Sequence, residues 1–265
     1  MQFLLNLPPP ISFVLVAAVT TTLAVAGLHL VRRKYPAEVL KENHEVAAII
    51  FNAFGLLYGV VVAFVVFVTW SGYDDATKEL QLEASDTVDI FYSAKAFPQP
   101  ASSIIQQELM EYARIVYNDE INKMSAGQVS IYSGGPLRKL LALVNGMDEK
   151  SIPNRELYLE SLRRLNNLAE HRRLRIFAGN NTIPPTVWLV LLVGGLITIL
   201  YTYLFGTRNI KAQYLMISAL TVTISWILLL IYILDHPFTG ASRVSIQPMA
   251  DVMQIMRDQY NEVHR

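Results

Sequence analysis

The sequence has no cysteine, few charges and, in four long stretches, no Asp, Glu, Lys or Arg at all. Without cysteine there is no disulfide, no thiolate nucleophile and no cysteine-ligated zinc, a lack that fits either side of a membrane. Charged residues are 17% of the 265 positions and hydrophobic ones 52%; soluble globular chains carry about a quarter charged. Basic and acidic residues balance at 22 each, so charge gives no argument for nucleic acid as a partner. The histidines at 29, 44, 171, 236 and 264 keep no metal-ligand spacing, and no glycine-rich phosphate loop is present. Neither an enzyme nor a bound cofactor or metal is expected.

A spanning helix needs about 20 apolar residues, because the hydrocarbon core is roughly 30 Å thick and each residue rises about 1.5 Å. Ile11 to Val31, Val46 to Trp70, Val187 to Gly206 and Tyr214 to Leu234 each qualify. Trp70, Trp188, Tyr201, Tyr203 and Tyr232 lie at the ends of these runs, where amphipathic rings favour the interface. Met1 to Pro10 holds no basic residue, so the first run reads as a span rather than a signal peptide. Basic residues follow it at Arg32, Arg33, Lys34 and Lys41, and Arg208 and Lys211 sit between the last two spans. That charge step predicts that both termini and the long insertion lie outside the cytoplasm.

The expected fold is all-α: spans one and two over residues 1–70, a helical soluble region over 71–183, spans three and four over 184–234, and a polar tail over 235–265. The second span continues past Trp70, since Leu80, Ala84, Thr87, Phe91 and Ala94 keep a helical stripe. Glu79, Glu83, Asp86 and Asp89 are expected on the opposite, solvated side. Pro98 and Pro100 stop this helix, and Ser103 with Gln106 has capping-box spacing for the next. Its apolar face is Ile105, Leu109, Tyr112 and Val116. Gly134-Gly135-Pro136 opens a short helix, and Asn154 caps one with the stripe Tyr158, Leu162, Leu165 and Ala169. Asp251 to Val263 forms a last helix.

No span carries Asp, Glu, Lys or Arg, which disfavours an ion-coupled carrier but suits a passive pore. Asn52, Gly55, Gly59 and Ala63 recur at helical spacing and form a small, weakly polar face that serves either pore lining or close helix packing. Ser218, Thr221 and Ser225 share a face suited to interhelical hydrogen bonds, and Thr20-Thr21-Thr22 has no evident role. Asp74, Asp75, Glu79, Glu83 and Asp86 follow the second span. Around a symmetry axis such acids form a vestibule that concentrates cations. Arg172, Arg173 and Arg175 are the candidate partners of these acids.

One set of motifs resembles a known family. It comprises Ala63-Phe64-Val65-Val66-Phe67-Val68-Thr69-Trp70, Glu83-Ala84, Tyr112, His171-Arg172-Arg173-Leu174-Arg175, Trp188, Leu204-Phe205-Gly206 and Leu234-Asp235-His236-Pro237-Phe238-Thr239-Gly240. In that order they resemble the bestrophin-like proteins abundant in bacteria. One departure is Ile121 after Asp119-Glu120, where the family often has tryptophan. The resemblance implies a bacterial inner-membrane protein assembled as a homo-oligomer, a pentamer, around an axis lined by the second helix. It implies passive transport of inorganic ions, chiefly anions in true bestrophins, whereas the acids here lean towards cations. It also implies a cytosolic soluble region, opposite to the charge step. A non-conducting scaffold or sensor, whose soluble helices bind a partner, is the alternative.

Overall fold

The computed structural model describes residues 2–35, 44–125, 135–147, 154–205, 207 and 209–263. Lys41, Gly134, Gly206 and Arg208, used above, lie outside them. Among the described residues the structure is helical, without strands: α1 (Gln2–Asn6), α2 (Pro9–Lys34), α3 (His44–Ser93), α4 (Ala101–Ile115), α5 (Ile121–Ser125), α6 (Gly135–Asn145), α7 (Arg155–Asn180), α8 (Pro185–Thr202), α9 (Ile210–Leu234) and α10 (Gln247–Val263). Helices α2, α3, α8 and α9 are long and apolar enough to cross a membrane. The chain divides into two compact units: Met1–Ser71, Thr182–Asp235 and Gly240–Ser242 form one, and Gly72–Asn181, His236–Thr239 and Arg243–Arg265 the other.

In the first unit the spans meet through small residues. Gly194 lets α8 approach α3 so closely that a Cβ there would lie 2.5 Å from the Tyr58 ring, whose hydroxyl donates to the Leu191 carbonyl at 2.9 Å. Gly27 of α2 receives Tyr203, which donates to the Ala24 carbonyl at 2.7 Å. This contact corrects the expected third span. The helix ends at Thr202 instead of reaching Gly206, and Tyr203 is buried against α2 instead of marking an interface. A buried phenol needs a partner, and the carbonyl supplies it. Among the described residues Gly240 alone has positive φ, +81°, and an added Cβ would strike the Leu5 carbonyl, which accepts from the Ala241 N–H at 2.8 Å. Only glycine fits that turn.

The second unit has one continuous core. Leu80, Ala84, Thr87, Phe91 and Ala94 are buried as their spacing predicts, together with Ile105, Leu109 and Tyr112 of α4 and Leu165, Leu168 and Ile176 of α7. Each such leucine or phenylalanine contributes about 1.5–3 kcal/mol. Asn154 caps α7 by accepting from the Leu157 N–H at 3.1 Å. Ser103 is not a cap: α4 begins at Ala101, and the Ser103 hydroxyl donates to the Gln99 side chain. The solvated acidic face is likewise corrected, because Glu83 and Asp86 are buried. Glu83 adjoins Ala84 on the buried side of α3, and its charge is met there by a cation.

Candidate functional site

The first half of α3 is the least covered of the four spans. Only 6% of its apolar window is buried within the chain, against 39% for α9. Asn52, Gly59 and Ala63 are exposed, and a Cβ built on Gly55 or Gly59 meets nothing within 4 Å. None of these four residues is buried by the described part of its own chain. Exposed Leu or Phe suits lipid, but an amide such as Asn52 facing hydrocarbon forfeits its hydrogen bonds. That face calls for a second copy or a polar lumen.

In the second unit α3 and α7 bring together a compact charge cluster. Arg175 grips Glu83 in a two-point ion pair, Nε to Oε2 at 2.5 Å and Nη2 to Oε1 at 3.0 Å, with both side chains fully buried. The Tyr112 hydroxyl donates to the same carboxylate, and Arg175 Nη1 lies 2.9 Å from the Met124 sulfur. Arg172 pairs with Glu120 at 2.8 Å, and Arg175 is 3.6 Å from the same Glu120 carboxylate. Two guanidinium groups thus face two carboxylates, so the buried core is formally neutral. Burial works against the charge on Arg175, but Glu83 and Glu120 outweigh it and hold the guanidinium firmly protonated. Burial, then the Glu83 charge, pushes the Tyr112 phenol well above its ordinary range.

The neighbouring acids are also engaged. His171 Nδ1 is 2.7 Å from Glu79, and its Nε2 is 3.6 Å from Asp86. Arg164 joins Asp89 at 2.6 Å and Asp86 at 3.4 Å. Burial raises the Asp86 carboxyl against the opposing pull of His171 and Arg164. The structure thus brings Glu83, Arg172 and Arg175 into one buried cluster, gathers Glu79 and Asp86 around His171 in another, and leaves Arg173 exposed. Asp74 and Asp75 are exposed on α3.

Glu120, Tyr112, His171 and Arg164 were not singled out as site residues, although the sequence carries a signal for the cluster. Leu165, Leu168, Arg172 and Arg175 repeat at steps of three and four, so two arginines occupy a core-facing stripe. Cations on such a stripe require buried carboxylates.

Across residues 18–249 the sequence matches the model of the Bestrophin-like domain. The chain belongs to the bestrophin-like family. Among curated proteins none matches this bestrophin-like chain by sequence. The crystal structure of a variant described as a membrane protein superposes with a TM-score of 0.66 at 12% identity, covering 91% of this chain and 97% of that one. A point variant of a bacterial bestrophin homologue from Klebsiella pneumoniae gives 0.63 at 13% identity, over 91% of this chain and 98% of its own. The same homologue phased on zinc gives 0.63 at 12% identity, over 91% and 97%. At such identities the likeness is one of fold.

Proposed function

We propose that this bestrophin-like chain forms a homo-oligomeric, passive ion channel whose axis is lined by the first half of α3. The observation that carries the reading is the uncovered face of Asn52, Gly55, Gly59 and Ala63 on the span least buried by its own chain. Small residues let copies approach, and an amide prefers a wet lumen to lipid. Spans free of Asp, Glu, Lys and Arg suit passive flow over coupled transport. Solved structures of this fold include a bacterial bestrophin homologue, which supports the same class.

Glu79, Glu83 and Asp86 do not act as free vestibule charges in this reading, because each is paired with a base of its own subunit. The acids open to permeant ions are Asp74 and Asp75. Asp74 follows Ala63 by eleven residues, about three turns of one helix, and so continues its face. Reversal potentials in asymmetric salt test this. Neutralising Asp74 and Asp75 should lower cation over anion permeability, most at low ionic strength where screening is weak. Glu79→Gln should shift it less. Intact oligomers that pass no current would favour a scaffold. The charge step across α2 supports an orientation with both termini and the long insertion outside the cytoplasm. A cysteine introduced between residues 126 and 134 should then react in intact cells, and labelling only after lysis would reverse the orientation.

A further inference from the structure

Among the described residues, four arginines are at least partly buried, and three of them meet a carboxylate. Arg175 meets Glu83, Arg172 meets Glu120 and Arg164 meets Asp86. The fourth is Arg32, in the last turn of α2, and it meets none. Its Nε donates to Gln213 Oε1 at 3.0 Å, and its Nη2 donates to the same oxygen and to the Thr207 carbonyl at 2.9 Å. Gln213, buried in the first turn of α9, is fixed in turn, since its amide donates to the Phe205 carbonyl at 2.9 Å. Neutral acceptors thus hold the guanidinium in place, leave its Nη1 open and do not cancel its charge. A partly buried charge of this kind calls for an opposite one.

Three further cations stand at the same end of these two spans. Arg33 and Lys34 close α2, and Lys211 lies in the first turn of α9; all three are exposed and in no ion pair. Lys211 sits at the positive pole of its helix, where a cation is disfavoured, and the first turn of α9 holds no acid to offset it. Each helix also presents a bare apolar side chain one turn towards the middle of the span, on the face of its exposed cations. Leu30 precedes Arg33 by three residues and Lys34 by four, Leu215 follows Lys211 by four, and both leucines are exposed.

We propose that this end of α2 and α9 binds an anionic membrane lipid, whose phosphate accepts from Arg32 Nη1 while its acyl chains run along Leu30 and Leu215. Arg33, Lys34 and Lys211 supply further positive charge to the headgroup. Basic pockets between spans recognise anionic headgroups in this way, and a guanidinium already held in position loses little freedom on binding. A free anion would answer the charge but leave the leucines bare. A zwitterionic lipid would cover the leucines but bring a cation of its own to a cluster that has no acid. The site goes beyond the proposed channel activity, and its test does not depend on conduction.

The test is native mass spectrometry of the full-length protein in detergent, titrated with dioleoyl phosphatidylglycerol or with dioleoyl phosphatidylcholine. The phosphatidylglycerol should be retained saturably and more tightly than the phosphatidylcholine, and inorganic phosphate should not displace it. Arg32→Gln should weaken retention about tenfold, as loss of one charged hydrogen bond implies. Because Arg32 also ties α2 to α9, the second variant is Lys211→Gln, which is exposed and breaks no ion pair. It should weaken retention about fivefold, the worth of one basic residue at an anionic surface. Arg173→Gln removes an exposed charge elsewhere and should change nothing. Equal retention of the two lipids, undiminished retention by Lys211→Gln, an equal loss in Arg173→Gln, or displacement by inorganic phosphate would each overturn the proposal.

Discussion

The two halves of α3 are one helix in two solvents. Before Ser71 most of its large apolar side chains are open, Leu57 at 69% exposure, with Val62 and Tyr58 the packed exceptions; after Gly72 most are enclosed, Leu80 at 0%. Within the first half the covering is one-sided: Gly55 and Gly59 face open space, whereas Tyr58 packs on Gly194 of α8, which has no room for a Cβ. The first half is thus shaped for lipid or another copy and the second for its own chain. Similar apolar runs serve unlike ends, and what tells them apart is the polar residues among them. In the first half these are Asn52 and glycines; in the second they are carboxylates matched to arginines.

The largest effect that would break this comparison is at Arg175. Arg175→Met leaves Glu83 charged and buried, and should cost about 3–5 kcal/mol, read as loss of thermal stability in detergent. Adding Glu83→Leu should recover much of that loss, because a packed apolar pair substitutes for a buried ion pair. Failure of the double variant to recover would mean that the cluster holds the fold through more than charge balance.

A smaller effect separates the halves directly. Leu80→Ala should destabilise by about 2–5 kcal/mol through the cavity it leaves. Leu57→Ala should stay within about 0.5 kcal/mol in dispersed subunits, where nothing packs on that side chain. A large loss at Leu57 in a monomeric preparation would show that the first half is covered by its own chain.

Much of this division is legible in the sequence. Absent charge marks the four spans, and the stripe from Leu80 to Ala94 marks the continued helix and its core face. The polarity of that helix is not legible in its own sequence, for a physical reason. Acids at Glu79, Glu83, Asp86 and Asp89 look solvated when α3 is read alone, yet the arginines that pair with Glu83, Asp86 and Asp89 lie 75 to 92 residues away on α7. Pairing at that separation is set by tertiary packing, not local spacing. The burial of Tyr203 is likewise tertiary, since its hydroxyl donates to the Ala24 carbonyl of α2. The face of Asn52, Gly55, Gly59 and Ala63 was visible as a pattern, but only the structure shows that its own chain leaves it uncovered.

The central claim, that this face lines the axis of an assembled channel, is tested most directly by thiol modification during current recording. The chain has no cysteine, so a single one introduced by Asn52→Cys or Gly59→Cys reports without background. A charged methanethiosulfonate reagent should block current through either variant, while Leu57→Cys, on a different face, should be insensitive. Modification at Asn52 and Gly59 without change in current, or block at Leu57 alone, would contradict the account.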